Sequence, residues 1–208
     1  MKRNSAIIFV FDLDDTIVDT DSYSEKYILN YIKENNLPYK KISDVARFAE
    51  KKFSWDKETA LKWYKEYGDQ MMLEFPLREN AKEVVNGLYD QGHTIIISTA
   101  RSTDWHSDPV GITKKWLEIN ELKYHKLYIG RSDKENVCKL ENADVFLDDD
   151  FNIASRVGNY FSSSNKSKMS CLFTTKFNAS SEVDKNVIRI KNFNDFLDKI
   201  NLFIDSNK

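Results

Sequence analysis

Two acidic clusters stand at the ends of apolar runs. Asp12, Asp14 and Asp15 follow the run Ile7 to Phe11, and Asp148, Asp149 and Asp150 complete "VFLDDD". A third polar tip, "STAR" (98 to 101), closes the run "TIII" and carries Ser98, Thr99, Ala100 and Arg101. In an open α/β sheet, ligands bind beyond the carboxyl ends of the strands. Carboxylates gathered there repel one another unless a cation sits among them. A hard divalent ion is the economical partner, and Mg²⁺ prefers a few carboxylates, several waters and a phosphate oxygen. Asp15, Asp19, Asp21 and Asp150 are expected to act locally instead, as helix N-caps and first-turn acids that complement helix dipoles.

Recurrent short elements must position these tips. The runs 6–11, 94–98, 126–129, 145–148, 170–174 and 187–190 are almost continuously apolar, as suits strands covered on both faces of a parallel sheet. Helical spacing separates them: Ala81, Val84, Val85 and Leu88 form one face ahead of Gly92, and further helices are expected at 112–120, 133–141, 150–158 and 193–203. Strands alternating with helices imply right-handed crossovers and a Rossmann-like, doubly wound α/β fold. One segment breaks the alternation. Roughly eighty residues between the first two strands hold three amphipathic helical patterns and no strand. The first pattern opens on a capping box, Ser22 to Glu25, with Tyr23, Tyr27, Ile28 and Tyr31 on one side. The second spans about 43–53, and the third about 56–73 with Ala60, Leu61, Tyr64, Tyr67 and Met71 at helical spacing. The expectation is a core of residues 1–18 and 78–208 with a small all-helical cap, 19–77, inserted over the first strand's tip. "NYFSSSNKSKMS" reads as a mobile loop.

Composition narrows the function classes. Hydrophobic residues are 41% and charged residues 31%, as in globular proteins, and the net charge of −2 gives no basic field for nucleic acid or an anionic membrane. No apolar stretch approaches bilayer length and the first residues lack a secretory cleavage pattern, so a cytoplasmic location is expected. Cys138 and Cys171 lack metal-ligand spacing and are expected to be buried thiols. His93, His106 and His125 are scattered, with surface or turn roles expected.

"DLDDT" (12 to 16) after an apolar strand resembles the first motif of the haloacid dehalogenase superfamily of phosphohydrolases, and the other motifs follow in order. Thr99 matches the second, Lys134 in "SDKENVCK" the third, and "VFLDDD" the acidic fourth. The resemblance implies that Asp12 is a nucleophile forming an aspartyl-phosphate and that Asp14 is the general acid and base. An Asp at position 14 favours hydrolysis over a persistent phosphoenzyme. Thr99, with the Ala100 backbone and Lys134, would hold the phosphoryl group. Mg²⁺ would rest on Asp12, Asp14 (its backbone carbonyl) and Asp148, with Asp149 as a second ligand or an outer acceptor. Lys139 competes with Lys134 for the lysine role; Lys134 is preferred because it opens its helix. Arg101 could reach a phosphate or form a salt bridge.

A helical insertion between the first two motifs is the position of a C1-type cap, which closes over the site and selects the leaving group. "TARS", "TKKWL" and "DKENVC" followed by "VFLDD" resemble a nucleotidase-like family that includes 5′(3′)-deoxyribonucleotidases. Cap aromatics there stack on a base; Trp55 and Trp63, which fit the apolar stripes less well, are the candidates here. The implied activity is Mg²⁺-dependent hydrolysis of a small phosphate ester, with a nucleotide foremost. Alternatives are a sugar phosphatase, a polynucleotide 3′-phosphatase disfavoured by the missing basic stripe, a phosphorylation-responsive signalling domain, or a catalytically silent binding domain.

Overall fold

The computed structural model describes residues 6–164 and 167–206. Six strands form one all-parallel sheet: β1 (Ile8–Phe11), β2 (Thr94–Ser98), β3 (Lys126–Tyr128), β4 (Val145–Asp148), β5 (Met169–Phe173) and β6 (Val187–Ile190). Their order is β3-β2-β1-β4-β5-β6. This is the Rossmann-like α/β fold expected from the apolar runs. β1 and β4 are wholly or almost wholly buried, which is why their sequences do not alternate.

The order carries a functional consequence. The chain leaves β1 towards β2 and β3, then returns to lay β4 on the opposite side of β1, so the direction of winding reverses between β1 and β4. Ligand crevices open at such a reversal. Register fixes which residues meet there: Phe11 pairs with Leu147, and the Asp12 N–H donates to the Leu147 carbonyl at 2.9 Å. Asp12 and Asp148 therefore emerge side by side.

Three helices, α1 (Thr20–Glu34), α2 (Ala49–Phe53) and α3 (Lys57–Glu74), lie between β1 and the helix α4 (Ala81–Asp90). Their aromatic and aliphatic residues, Tyr27, Phe53 and Trp63 among them, join Phe9, Phe11 and Ile97 of the sheet in one apolar cluster. The remaining helices are α5 (Pro109–Ile119), α6 (Lys134–Leu140), α7 (Phe151–Ser162) and α8 (Phe193–Ser206). Among the described residues, no helix is long and apolar enough to cross a membrane.

Several local expectations are corrected. The capping box does not form: α1 starts at Thr20, so Ser22 lies inside the first turn and its hydroxyl is past the orphan amides it would cap. The second helix is only Ala49–Phe53, because Ile42 and Ser43 turn back to donate to the Lys52 carbonyl and leave 43–48 irregular. On α3 the inward stripe contains Trp63 and Met72, whereas Leu61 is exposed. The first four residues of "NYFSSSNKSKMS", up to Ser162, continue α7, its last two begin β5, and residues 165–166 lie outside the described part. Of the local acids, Asp150 does cap α7, accepting from the Asn152 and Ile153 N–H groups at 2.8 and 3.1 Å. Asp19 stands at the α1 N-cap without a capping bond.

His93, read as a surface or turn residue, is buried beside Phe9, and its Nδ1 accepts from the Ile7 N–H at 3.2 Å. Only a neutral imidazole can accept there, and burial holds its pKa below the ordinary 6.5. The folded state thus binds fewer protons than the unfolded chain below that value, and stability falls as pH drops through the window beneath about 6.5. His93→Gln keeps an acceptor without titrating. Its Tm is expected to vary less than that of the wild type between pH 7.5 and pH 5.5, and parallel Tm–pH curves would refute this.

Candidate active site

The site is built on the loop Asp12 to Asp19. Val10 and Phe11 bury the end of β1, after which Leu13 and Ile17 turn inward as apolar pegs and leave Asp12, Asp14 and Asp15 to the polar side. Asp15 takes a left-handed conformation (φ 58°) that tightens the turn, and its carboxylate accepts from the Asp21 N–H at 2.9 Å. Arg78 donates to the Asp15 carbonyl at 3.1 Å, tying the far side of the insertion to the same loop.

Asp12 is buried and has both carboxylate oxygens engaged. The Thr16 hydroxyl donates to Oδ2 at 3.0 Å, and the Lys134 ammonium contacts Oδ1. Lys134, the first residue of α6, also donates to Asp148 Oδ2 at 2.7 Å. Lys139 stands on the exposed side of α6, paired with Glu135, so Lys134 is the lysine brought to the acids. Burial is the main influence on Asp12 and pushes its carboxyl up; Lys134 pulls against it, Asp148 and Asp14 add to it, and the balance stands at about 7.

Asp12, Asp148 and Asp149 can place one oxygen each within 4.8 Å of one another, and all three residues are buried. Three buried carboxylates at that spacing suit a hard divalent cation of the Mg²⁺ type. Asp149 supports this fit: burial, then Asp148 and Asp12, raise its carboxyl well above the usual range although Arg47 pulls it down. Such a group gains from an added positive charge.

Asp14 is placed differently from its neighbours. Its carboxylate lies outside the three-acid cluster and is gripped by Arg101, with Nε at 2.8 Å and Nη2 at 2.7 Å. Thr20 and Thr99 hydroxyls donate to it at 3.1 and 3.3 Å. Arg101 is itself buried and steadied by Thr113. Burial pushes Asp14 up, but the guanidinium outweighs it and holds the carboxyl below the usual range. Of the two roles open to Arg101, this geometry displays the salt bridge. Thr99 is the buried residue just beyond β2, whereas the neighbouring Ser98, the last of the strand, has a buried hydroxyl without a partner. Ala100 is exposed and lines the adjacent cavity.

That cavity, about 290 Å³, lies between the insertion and the sheet edge. One wall is Asp14, Thr20 and Arg101; the other includes Phe48, Trp63, Tyr64 and Trp105. Trp63 lines it while almost wholly buried, and its indole N–H has no partner. Trp55 does not line it: its ring packs on Tyr31, Phe53 and Trp63. Reading the sequence missed Trp105 and His106, which extend the cavity from the loop after "STAR", and Arg47 and Lys52 from the insertion. Lys52 is fully buried and pairs with Asp21 at 2.6 Å. A lysine on a five-residue helix gives no local sign of such a partner.

Solved structures share this arrangement of elements. A haloacid dehalogenase-like family hydrolase from Streptococcus pneumoniae superposes with TM-score 0.62 at 15% identity, covering 98% of this chain and 100% of that one. The fold is that of the haloacid dehalogenase-like hydrolases. A predicted phosphatase from Clostridium acetobutylicum matches with TM-score 0.62 at 16% identity over 95% and 99% of the two chains. A predicted phosphoglycolate phosphatase from Haemophilus somnus 129pt matches with TM-score 0.56 at 18% identity over 96% and 99%. No protein-family model and no curated protein matches the sequence. The haloacid dehalogenase-like fold is thus shared with these structures at sequence identities of 15 to 18%.

Proposed function

We propose that this protein is a phosphomonoester hydrolase that works through an aspartyl-phosphate on Asp12. The observation that carries the reading is Lys134, buried and bridging Asp12 and Asp148 at the point where the sheet reverses its winding. An ammonium there offsets the negative charge of an incoming phosphoryl group beside the attacking carboxylate. Thr16 and Lys134 hold the two Asp12 oxygens, so the nucleophile is aimed before substrate arrives. Asp12 attacks phosphorus as the bond to the leaving oxygen breaks; that oxygen takes a proton from Asp14. Asp14 then accepts the proton of the water that cleaves the aspartyl-phosphate, and inorganic phosphate leaves. Mg²⁺ held by Asp12, Asp148 and Asp149, with the Asp14 carbonyl, would supply charge neutralisation at the phosphoryl oxygens.

Asp14 cannot donate a proton while Arg101 holds it ionised, so Arg101 must release it, and an incoming phosphate oxygen is the natural exchange partner for the guanidinium. Arg101→Gln leaves Asp14 buried without its counter-charge, and its pKa rises. For a substrate with a poor leaving group, the alkaline limb of the kcat–pH profile is expected to move to higher pH. With p-nitrophenyl phosphate, which needs no proton on leaving, that limb stays in place; equal shifts for both substrates would refute the role.

For the substrate, the aromatic wall of the cavity, with Phe48, Tyr64 and Trp105, favours a planar leaving group. The base of a nucleoside monophosphate is such a group. A second reading is a small anionic ester of the phosphoglycolate type, favoured by Arg47 in the wall and by the name of the Haemophilus somnus neighbour. In both readings residues 19–77 act as the cap that chooses the leaving group. Purified protein with Mg²⁺ should be assayed on p-nitrophenyl phosphate, nucleotides, deoxynucleotides, sugar phosphates and phosphoglycolate. Higher kcat/KM on nucleotides supports the first reading, phosphoglycolate preference replaces it with the second, and inactivity on every ester removes the hydrolase reading.

A further inference from the structure

Arg47 belongs to the irregular stretch before α2, and its guanidinium crosses from the helical insertion to the sheet edge. Nη2 reaches Asp149 Oδ2 at 2.5 Å and the Asp149 carbonyl at 3.2 Å, and Nη1 lies 3.8 Å from Asp150. The flat group rests on the Phe177 ring, 5.3 Å from its centroid. About a third of the Arg47 side chain remains in solvent, at 34%, whereas the Asp149 side chain is 3% exposed. Asp12 and Asp148 are served by Lys134, which α6 and the sheet fix from within; Asp149 is served from the insertion. Three clustered carboxylates thus meet one immovable cation and one carried by a neighbouring element. Arg47 also lines the substrate cavity.

We propose that Arg47 is a latch in competition with a divalent cation: it ties the insertion to Asp149, and a cation entering among Asp12, Asp148 and Asp149 displaces its guanidinium towards the cavity. The inference rests on the reading of Asp12, Asp148 and Asp149 as a cation site. A guanidinium and a dication compete for the same carboxylate and repel each other at this range. Linkage makes the effect mutual, so whatever Arg47 costs the cation, the cation costs the latch. Once freed, the guanidinium stands in the cavity wall as a ligand for an anionic group of the substrate.

The test uses the full chain and Mg²⁺ alone, followed by calorimetry, so that no catalytic turnover enters. Arg47→Ala is expected to bind Mg²⁺ at least about fivefold more tightly than the wild type, because a competing charge is gone. Arg47→Lys keeps the charge without the fork and should fall between them. Lys62→Ala removes the same charge from the exposed side of α3 and should retain wild-type affinity. Spin labels on Lys62→Cys and Lys139→Cys report the separation of insertion and core. Mg²⁺ should lengthen or broaden that distance, and Arg47→Ala should show the released distribution before Mg²⁺ is added. Unchanged or weaker Mg²⁺ affinity in Arg47→Ala, or a distance indifferent to Mg²⁺, overturns the latch and leaves the cation site standing. Absence of Mg²⁺ binding in every variant overturns the cation site and the latch together.

Discussion

Asp12→Asn is expected to lower kcat by at least about 10³-fold, on every substrate the protein turns over, while its Tm is equal to or above that of the wild type. The amide keeps the shape and an oxygen for the Thr16 hydroxyl, but it is uncharged and too weak a nucleophile to displace the leaving oxygen at phosphorus. Stability moves the other way for an electrostatic reason. Burial raises the Asp12 carboxyl from 3.8 to about 7, with Asp148 and Asp14 adding to the rise against Lys134. Between those two values the folded state binds more protons than the unfolded chain, so Asp12 contributes less stability as pH rises from about 4 to about 7. The neutral amide has no such slope. The Tm difference between variant and wild type should therefore widen over that interval in metal-free buffer, and loss of activity accompanied by a lower Tm throughout would mean that misfolding, not chemistry, explains the loss.

Lys134→Met is expected to act on both stability and rate. Its ammonium is buried and contacts Asp12 and Asp148, so removing it strands two buried carboxylates. Breaking a buried pair of this kind costs about 3 kcal/mol or more. The loss of positive charge beside the phosphoryl group lowers kcat by a further about 10²-fold at saturating substrate. Mg²⁺ should restore more Tm to Lys134→Met than it adds to the wild type, because the cation then supplies the counter-charge the lysine no longer gives. Lys139→Met serves as the contrast: its partner is Glu135 on the exposed face of α6, so less than about 1 kcal/mol is at stake there. Equal losses in the two variants would remove Lys134 from the site.

How much of this was legible in the sequence depended on how local each cause is. Ile7 to Phe11 and "VFL" announce buried strands by composition alone, and a chain of such runs separated by helical spacing leaves few topologies. Placing Asp12 beside Asp148 then needs only the strand order. Lys134 was readable because it opens a helix next to the acids. Pairings across the insertion were not. Arg47 reaches Asp149 over 102 residues and Lys52 reaches Asp21 over 31, from segments whose own periodicity says nothing about the partner. The same gap explains α3, where Leu61 was read into the apolar stripe and Trp63 set apart from it as a pocket candidate: the stripe is set by what lies opposite, and Trp63 packs against Trp55 and Tyr64, with Phe53 behind Trp55. Arg101 was seen as a phosphate ligand or a salt bridge, and only its distance to Asp14 separates these.

The central claim is a covalent phosphoryl group on Asp12, and it is tested most directly by trapping it. Protein turning over a ³²P-labelled phosphomonoester with Mg²⁺ is quenched in acid, reduced with borohydride and digested. The mechanism predicts label retained on the protein before reduction and conversion of the position 12 carboxyl to an alcohol in the peptide that contains "FDLDDT". Steady hydrolysis with no acid-stable label, or reduction at a different acid, would contradict it.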